Sequence, residues 1–157
     1  MNNNDVLRRL RFALNIDDDD LVALFGRGGL TTSVEQVWGW MGREGEPGTM
    51  ECTDDVLFTF LDTLIVDRRG PPPAHVAPPP PEPFSNNLVL KKLRIALKLR
   101  DTDMLKFIKL GGRDLSKAEL GGLLRHREHR HYRPCGNQLM RAFFAGLTQT
   151  MRGTGRD

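Results

Sequence analysis

The residues with the greatest chemical potential are concentrated in positions 125–135, RHREHRHYRPC, which hold three of the four histidines and one of the two cysteines. A structural zinc site needs two closely spaced ligand pairs separated by a hairpin or helix, and this spacing is absent. The four interspersed arginines would also repel a dication. We therefore expect neither a metal site nor a cofactor here. The excluded candidate ligands are His126, His129, His131 and Cys135.

The same segment suits a polyanion better than a metal ion. Arginine side chains engage phosphate oxygens, and a tyrosine can stack on an exposed base. Lysines and an arginine earlier in the chain could widen such a patch. The alternative is a solvated basic loop, or one packed against acidic residues elsewhere in the chain. The candidate binding residues for DNA or RNA are Lys91, Lys92, Arg94, Arg125, Arg127, Arg130, Tyr132 and Arg133.

Catalytic signatures are sparse. The sequence has no glycine-flanked nucleophilic serine and no nucleotide-binding fingerprint. Cys52 and Cys135 each precede a predicted helix, whose N-terminus could lower a thiol pKa, but their equivalent positions favour a role in packing. We predict a non-enzymatic binding protein with no catalytic residues.

The elements that position these residues follow from an internal duplication. The stretch 3–14 returns as 86–97, and the offset of 83 residues continues through Cys52 and Cys135. Each copy contains four segments with helical apolar spacing. We predict an all-α fold of two tandem four-helix repeats joined by a proline-rich linker. The predicted boundaries are residues 1–69 for the first repeat, 70–85 for the linker, 86–152 for the second repeat and 153–157 for a tail.

Local patterns give finer expectations for the first repeat. Asn3 or Asn4 is predicted to cap the first helix. In the third helix, Trp38 is expected on the inward stripe, whereas Trp40 falls outside it and is expected either to be exposed or to cover a neighbouring helix. We expect the repeats to pack on each other, or on a second chain, through helices one and three.

Charge divides the chain into unlike halves. Residues 1–69 carry seven arginines against thirteen acidic residues, whereas residues 84–157 carry sixteen lysines and arginines against six acidic residues. The net charges are thus −6 and +10. This asymmetry favours a basic half that binds nucleic acid, or an acidic half that meets the basic one in a homo-oligomer or protein-interaction module. Without a long apolar run or a signal peptide, we expect a cytoplasmic protein that does not contact membranes.

Several short motifs resemble one family in both copies. The quoted motifs are NNND at 2–5, LRRLR at 7–11, PG at 47–48, EC at 51–52, NN at 86–87, LKKLRIAL at 90–97 and HYR at 131–133. Together they are similar to the bacterial YehS-like family of tandemly duplicated small helical domains of unknown function. The resemblance covers nearly the whole chain outside the linker and implies the duplicated architecture and a cytoplasmic location. It implies no activity and no catalytic residues.

Overall fold

The apolar periodicity of each copy becomes four helices in the computed structural model, which describes residues 1–78 and 80–153. The first repeat contains α1 Asn3–Leu14, α2 Asp18–Arg27, α3 Val34–Met41 and α4 Asp54–Arg69. The second contains α5 Asn86–Ala96, α6 Asp101–Leu110, α7 Lys117–Leu124 and α8 Asn137–Thr148, followed by a π-helical turn, Gln149–Gly153. Across these residues there is no strand, and the predicted all-α fold is confirmed. The predicted tail lies outside the described residues except for Gly153.

The first helix begins one residue earlier than the sequence suggested. Asn2 has extended backbone angles, and its side chain accepts a hydrogen bond from the amide of Asp5. The Asp5 carboxylate accepts from the Asn2 amide in return, which completes a capping box. The prediction of Asn3 or Asn4 as the cap was therefore wrong, because both residues already lie inside the helix.

Of the two tryptophans of α3, Trp38 is exposed and not buried as expected, whereas Trp40 covers the neighbouring helix α2, one of its two expected positions. Trp40 is 5% exposed, and its ring lies 5.2 Å from that of Phe25, whereas Trp38 is 56% exposed. The buried face of this short helix follows Val37, Trp40 and Met41, a spacing of three and four residues that leaves Trp38 on another side. The indole N–H of Trp38 instead donates to the Asp18 carboxylate at 3.0 Å.

A buried asparagine joins three parts of each repeat. In the first repeat, Asn4 is 6% exposed; its amide donates to the carbonyl of Met50 at 2.8 Å and to that of Gly42 at 3.2 Å. Its side-chain oxygen accepts from the Cys52 amide at 2.8 Å. One side chain thus fixes the start of α1 against the end of α3 and the segment leading into α4.

The second repeat repeats this arrangement. Asn87 is 2% exposed and donates to the carbonyls of Leu123, at 3.0 Å, and Arg133, at 2.6 Å. Its oxygen accepts from the Cys135 amide at 2.8 Å. The duplicated Asn-Asn pairs in the sequence therefore mark internal connections.

The two repeats pack on each other within the one chain through helices one and four. Helix α4 lies against α5, and α8 lies against α1, so the fourth helix of each repeat covers the first helix of the other. The buried side chains form a single core that includes both repeats. The expectation that helix three would form this junction was wrong, because the apolar surface of helix four is broad enough to face its own repeat and the partner repeat.

Ion pairs contribute little to this junction. Among the described residues, one ion pair crosses between the repeats, from Lys92 to Asp62 at 2.5 Å. The opposite net charges of the two halves are therefore mostly not matched against each other within the fold. No helix in the described part of the chain is long and apolar enough to cross a membrane.

Replacing Asn4 with alanine should lower the free energy of unfolding by about 2–4 kcal/mol, because a buried amide and several carbonyls would lose their partner. Urea denaturation of the full chain measures the change. The matched control is Asn3→Ala, since Asn3 makes an exposed hydrogen bond to Asp54 and should cost less than about 1 kcal/mol. Equal losses for the two variants would contradict the role given to the buried amide.

Candidate nucleic-acid interface

The basic loop, residues 125–133, folds back over α7. The amide of Arg133 donates to the carbonyl of Gly122 at 3.0 Å, and the amides of His129 and Tyr132 close two turns within the loop. A Cβ on Gly122 would lie 3.0 Å from the carbonyl oxygen of His131. The glycine therefore lets the loop approach the helix closely, and the loop backbone is held in place.

Three arginines of the basic loop project from this backbone with no acidic partner among the residues described. Arg125, Arg127 and Arg130 are exposed, and none takes part in an ion pair. Arg125 Nη1 lies 3.4 Å from His129 Nε2, while His129 Nδ1 accepts a hydrogen bond from the amide of His131 at 3.0 Å. Desolvation and the positive charges of Arg125 and His131 lower the pKa of His129, which favours the neutral imidazole at pH 7.

Four other predicted binding residues already have acidic partners. Arg133 Nη1 lies 2.8 Å from the Glu119 carboxylate, and this bond is the main reason that the pKa of Glu119 falls to about 2. Tyr132 is half-buried beside the exposed arginines. The seven predicted cations thus divide into three exposed, unpaired arginines and four residues whose charge is partly compensated nearby. The remaining pairs are Lys91 with Glu82 at 2.7 Å, Lys92 with Asp62 at 2.5 Å and Arg94 with Asp101 at 3.2 Å.

Glu82 connects the linker to the basic loop, a contact that sequence reasoning missed. Its carboxylate accepts from Lys91 Nζ at 2.7 and 2.8 Å and from the backbone amide of Arg127 at 3.0 Å. Burial acts to raise the pKa of Glu82, but the hydrogen bonds from Lys91 and Arg127 outweigh it and lower the pKa. Glu82 is the one acidic residue in the proline-rich segment, and this isolated charge was the sequence signal that could have indicated the contact.

An aromatic contact fixes the same end of the linker. The ring of Phe84 lies 5.0 Å from that of Phe58 on α4, and Lys92 Nζ lies 5.0 Å from the centroid of the Phe58 ring. The linker therefore ends against the junction between α4 and α5 and does not act as a spacer along its whole length. This contact holds Glu82 close to α5.

The two cysteines are unsuited to nucleophilic chemistry. Cys52 is 1% exposed, Cys135 is 7% exposed, and both are free thiols. Burial raises the pKa of each thiol to about 12, with further help at Cys52 from Asp54 and Glu51. Desolvation therefore raises the pKa of each thiol by more than the positive end of the following helix lowers it. Within the described residues, no three His, Cys, Asp or Glu side chains form a group that could hold a metal ion.

Replacing Glu82 with glutamine should remove a pH-dependent contact with the loop. Because the folded pKa lies below its ordinary value of 4.5, the contact and its stabilisation persist above that value and are lost as the pH falls through the folded pKa. The amide proton shift of Arg127, followed by NMR between pH 2 and 7, should titrate with a midpoint below 4.5. This titration should vanish in Glu82→Gln and persist in the neighbouring control Glu128→Gln. A midpoint at or above 4.5 would count against the geometry.

Both thiols should react slowly with iodoacetamide at pH 8. A buried thiol of high pKa presents very little accessible thiolate, so alkylation of the folded chain should be at least about a hundredfold slower than that of free cysteine. Mass spectrometry gives the rates, and the same chain unfolded in guanidinium is the control. A fast reaction at either cysteine in the folded chain would revive the nucleophile hypothesis.

Comparison with known proteins places this chain in a family. The family model described as "Protein of unknown function (DUF1456)" matches residues 3–70 and again residues 86–153. The chain is also 37% identical, over 147 residues covering 94% of both sequences, to the uncharacterized protein YehS of Escherichia coli strain K12. No solved structure gave a significant match. The chain therefore belongs to the DUF1456 family and carries two tandem copies of its domain.

Proposed function

We propose that this protein is a non-enzymatic binding protein that engages single-stranded nucleic acid through the basic loop. The observation that carries the proposal is the exposure of Arg125, Arg127 and Arg130 without acidic partners among the described residues. Guanidinium groups donate paired hydrogen bonds to phosphate oxygens, and binding releases the counterions of a polyanion.

The fixed backbone of the loop supports this function. Its hydrogen bond to Gly122 and the carboxylate of Glu82 hold the loop against α7 and α5. A loop that is already ordered loses less conformational entropy on binding than a mobile one. Tyr132 lies among the arginines, half exposed, where a splayed base could stack on its ring.

A loop interface fits single strands better than the major groove of a duplex. Major-groove readers present a helix with polar and basic side chains toward the base edges. Helix α7 instead presents Lys117, Ala118 and the open Gly121 on its exposed side, so it offers few groups for base recognition. The proposed contact is therefore with the backbone and exposed bases of DNA or RNA.

Self-association is a second candidate, supported by a different observation. The junction between repeats uses one ion pair among the described residues, which leaves the acidic surface of the first repeat exposed. A basic loop from another copy could meet that surface head to tail. Sedimentation equilibrium of the full chain at low and high salt distinguishes the two, because this association should weaken with salt and require no nucleic acid. The exposed acidic residues include Asp17, Asp19, Asp20 and Glu35.

Replacing Arg125, Arg127 and Arg130 together with alanine should weaken binding of a labelled twenty-nucleotide single strand at least tenfold at low salt. Fluorescence anisotropy across a salt series should also show a shallower dependence of log affinity on log salt, by about 2, since each phosphate contact with a single strand contributes about 0.7. DNA and RNA strands of matched sequence show which is preferred.

The control removes the same number of charges elsewhere in the second repeat. Lys106, Lys109 and Lys117 are exposed, lie on α6 and α7, and become alanine together. If their loss weakens binding as much as the loss of the three arginines, net charge and not the basic loop is responsible. The absence of binding by the wild-type chain at low salt would remove the proposed function.

A further inference from the structure

A second basic site lies at the junction between α1 and α8, and the arginines that line it belong to the half of the chain with negative net charge. The two helices border an open groove of about 500 Å³. Among the described residues, four arginines line it and no acidic residue does; Phe12 of α1 and Ala145 of α8 complete opposite walls. The arginines are Arg8, Arg9, Arg11 and Arg43.

Two of these arginines are already engaged. Arg8 pairs with Asp5 and donates to the carbonyl of Met41 at 2.9 Å. Arg11 pairs with Asp18 at 3.0 Å and donates to the carbonyl of Ile16 at 2.9 Å. Their positive charge is therefore largely balanced by carboxylates outside the groove.

The other two arginines make no ion pair with the described residues. The Nε atom of Arg9 is buried and has no hydrogen-bond partner. Arg43 is exposed on the loop after α3 and takes part in no ion pair with the described residues. Because both residues line the groove, an anion in it would give their guanidinium groups charge-assisted hydrogen-bond acceptors.

A fifth arginine, Arg152, lies next to Phe12 at the edge of the groove. The guanidinium of Arg152 lies 4.4 Å from the centroid of the Phe12 ring and donates to Asn15 Oδ1 at 2.6 Å. Phe12 is 54% exposed even so, which leaves apolar ring surface facing solvent beside the arginines.

The duplication provides an internal comparison for this groove. The offset of 83 residues places Lys92 in the second repeat where Arg9 stands in the first, and Asp62 on α4 where Ala145 stands on α8. At the junction of α4 and α5, Asp62 neutralises Lys92 at 2.5 Å. At the junction of α1 and α8, alanine supplies no charge, and the equivalent cation, Arg9, makes no ion pair with the described residues.

The junction of α4 and α5 also shows how a carboxylate is held beside these cations. Glu82 from the linker binds Lys91, the counterpart of Arg8, and completes its contacts with a loop amide. A carboxylate therefore already occupies the cationic side of one junction. At the other junction Arg8 pairs with Asp5 instead, and no carboxylate is among the described residues that line the groove.

We propose that the groove between α1 and α8 binds a small phosphate-bearing molecule. Arg9 and Arg43 contact the phosphate, whose double negative charge matches the positive charges of these two unpaired arginines. The ring of Phe12 packs against the organic part of the ligand. The volume is in the range that holds one small molecule. This site is separate from the basic loop and does not depend on the function proposed for it.

The test introduces an aspartate, which Asp62 provides at the junction of α4 and α5, at the equivalent position 145 of the junction of α1 and α8. Isothermal titration calorimetry of the full chain uses inorganic pyrophosphate and adenosine monophosphate as probes, with malonate as a dianion that lacks phosphate. We expect one saturable site for the phosphate compounds, weakened at least tenfold in Ala145→Asp and in Arg9→Gln. Ala118→Asp is the matched control, since it makes the same substitution at an exposed position of α7, and should bind as the wild type does.

Circular dichroism and thermal unfolding establish that each variant is folded before titration. Equal binding in Ala145→Asp and the wild type would overturn the proposal, as would the absence of a saturable site for both phosphate probes at millimolar concentration. Malonate binding as tightly as pyrophosphate would show a general anion site and reject the phosphate assignment. If Ala145→Asp weakened the binding of a short oligonucleotide but of neither phosphate probe, the small molecule would be rejected in favour of a second nucleic-acid contact.

Discussion

The buried amide near the start of the first helix is the interaction on which each repeat depends. Asn4 and Asn87 satisfy backbone groups that would otherwise be stranded where helix three ends and where the chain enters helix four. Hydrophobic burial has no direction, whereas these hydrogen bonds fix one register of one helix against two others. They also set the path of the intervening loop, and in the second repeat that loop carries the exposed arginines.

Much of the fold follows from sequence because duplication and helical periodicity are local or self-similar signals. The 83-residue offset and the apolar stripes suffice to predict eight helices in two groups. The tryptophans of α3 show where this information ends. In a helix of eight residues, periodicity allows more than one inward face, and the choice of Trp40 over Trp38 depends on the position of Phe25 in another helix.

The candidate site was less predictable than the fold, since charge compensation depends on residues distant in sequence. Lys92 and Arg125 look alike as basic residues, yet Asp62 lies beside the first and no acidic residue pairs with the second among the described residues. Net charge also concealed the arginines around Phe12, because none of the acidic residues of the first repeat is among the described residues that line this groove. A count along the chain cannot show which charges share a surface.

The reciprocal contact of α4 with α5 and of α8 with α1 has a consequence for the origin of the chain. If the two repeats were identical, this contact would have the two-fold symmetry of an isologous homodimer, in which one surface meets a copy of itself. The protein is thus equivalent to a dimer whose subunits have been joined covalently. Joining them freed each half to change alone, so an aspartate could be kept at one junction and an alanine at the other. An obligate symmetric dimer could never have separated those two environments.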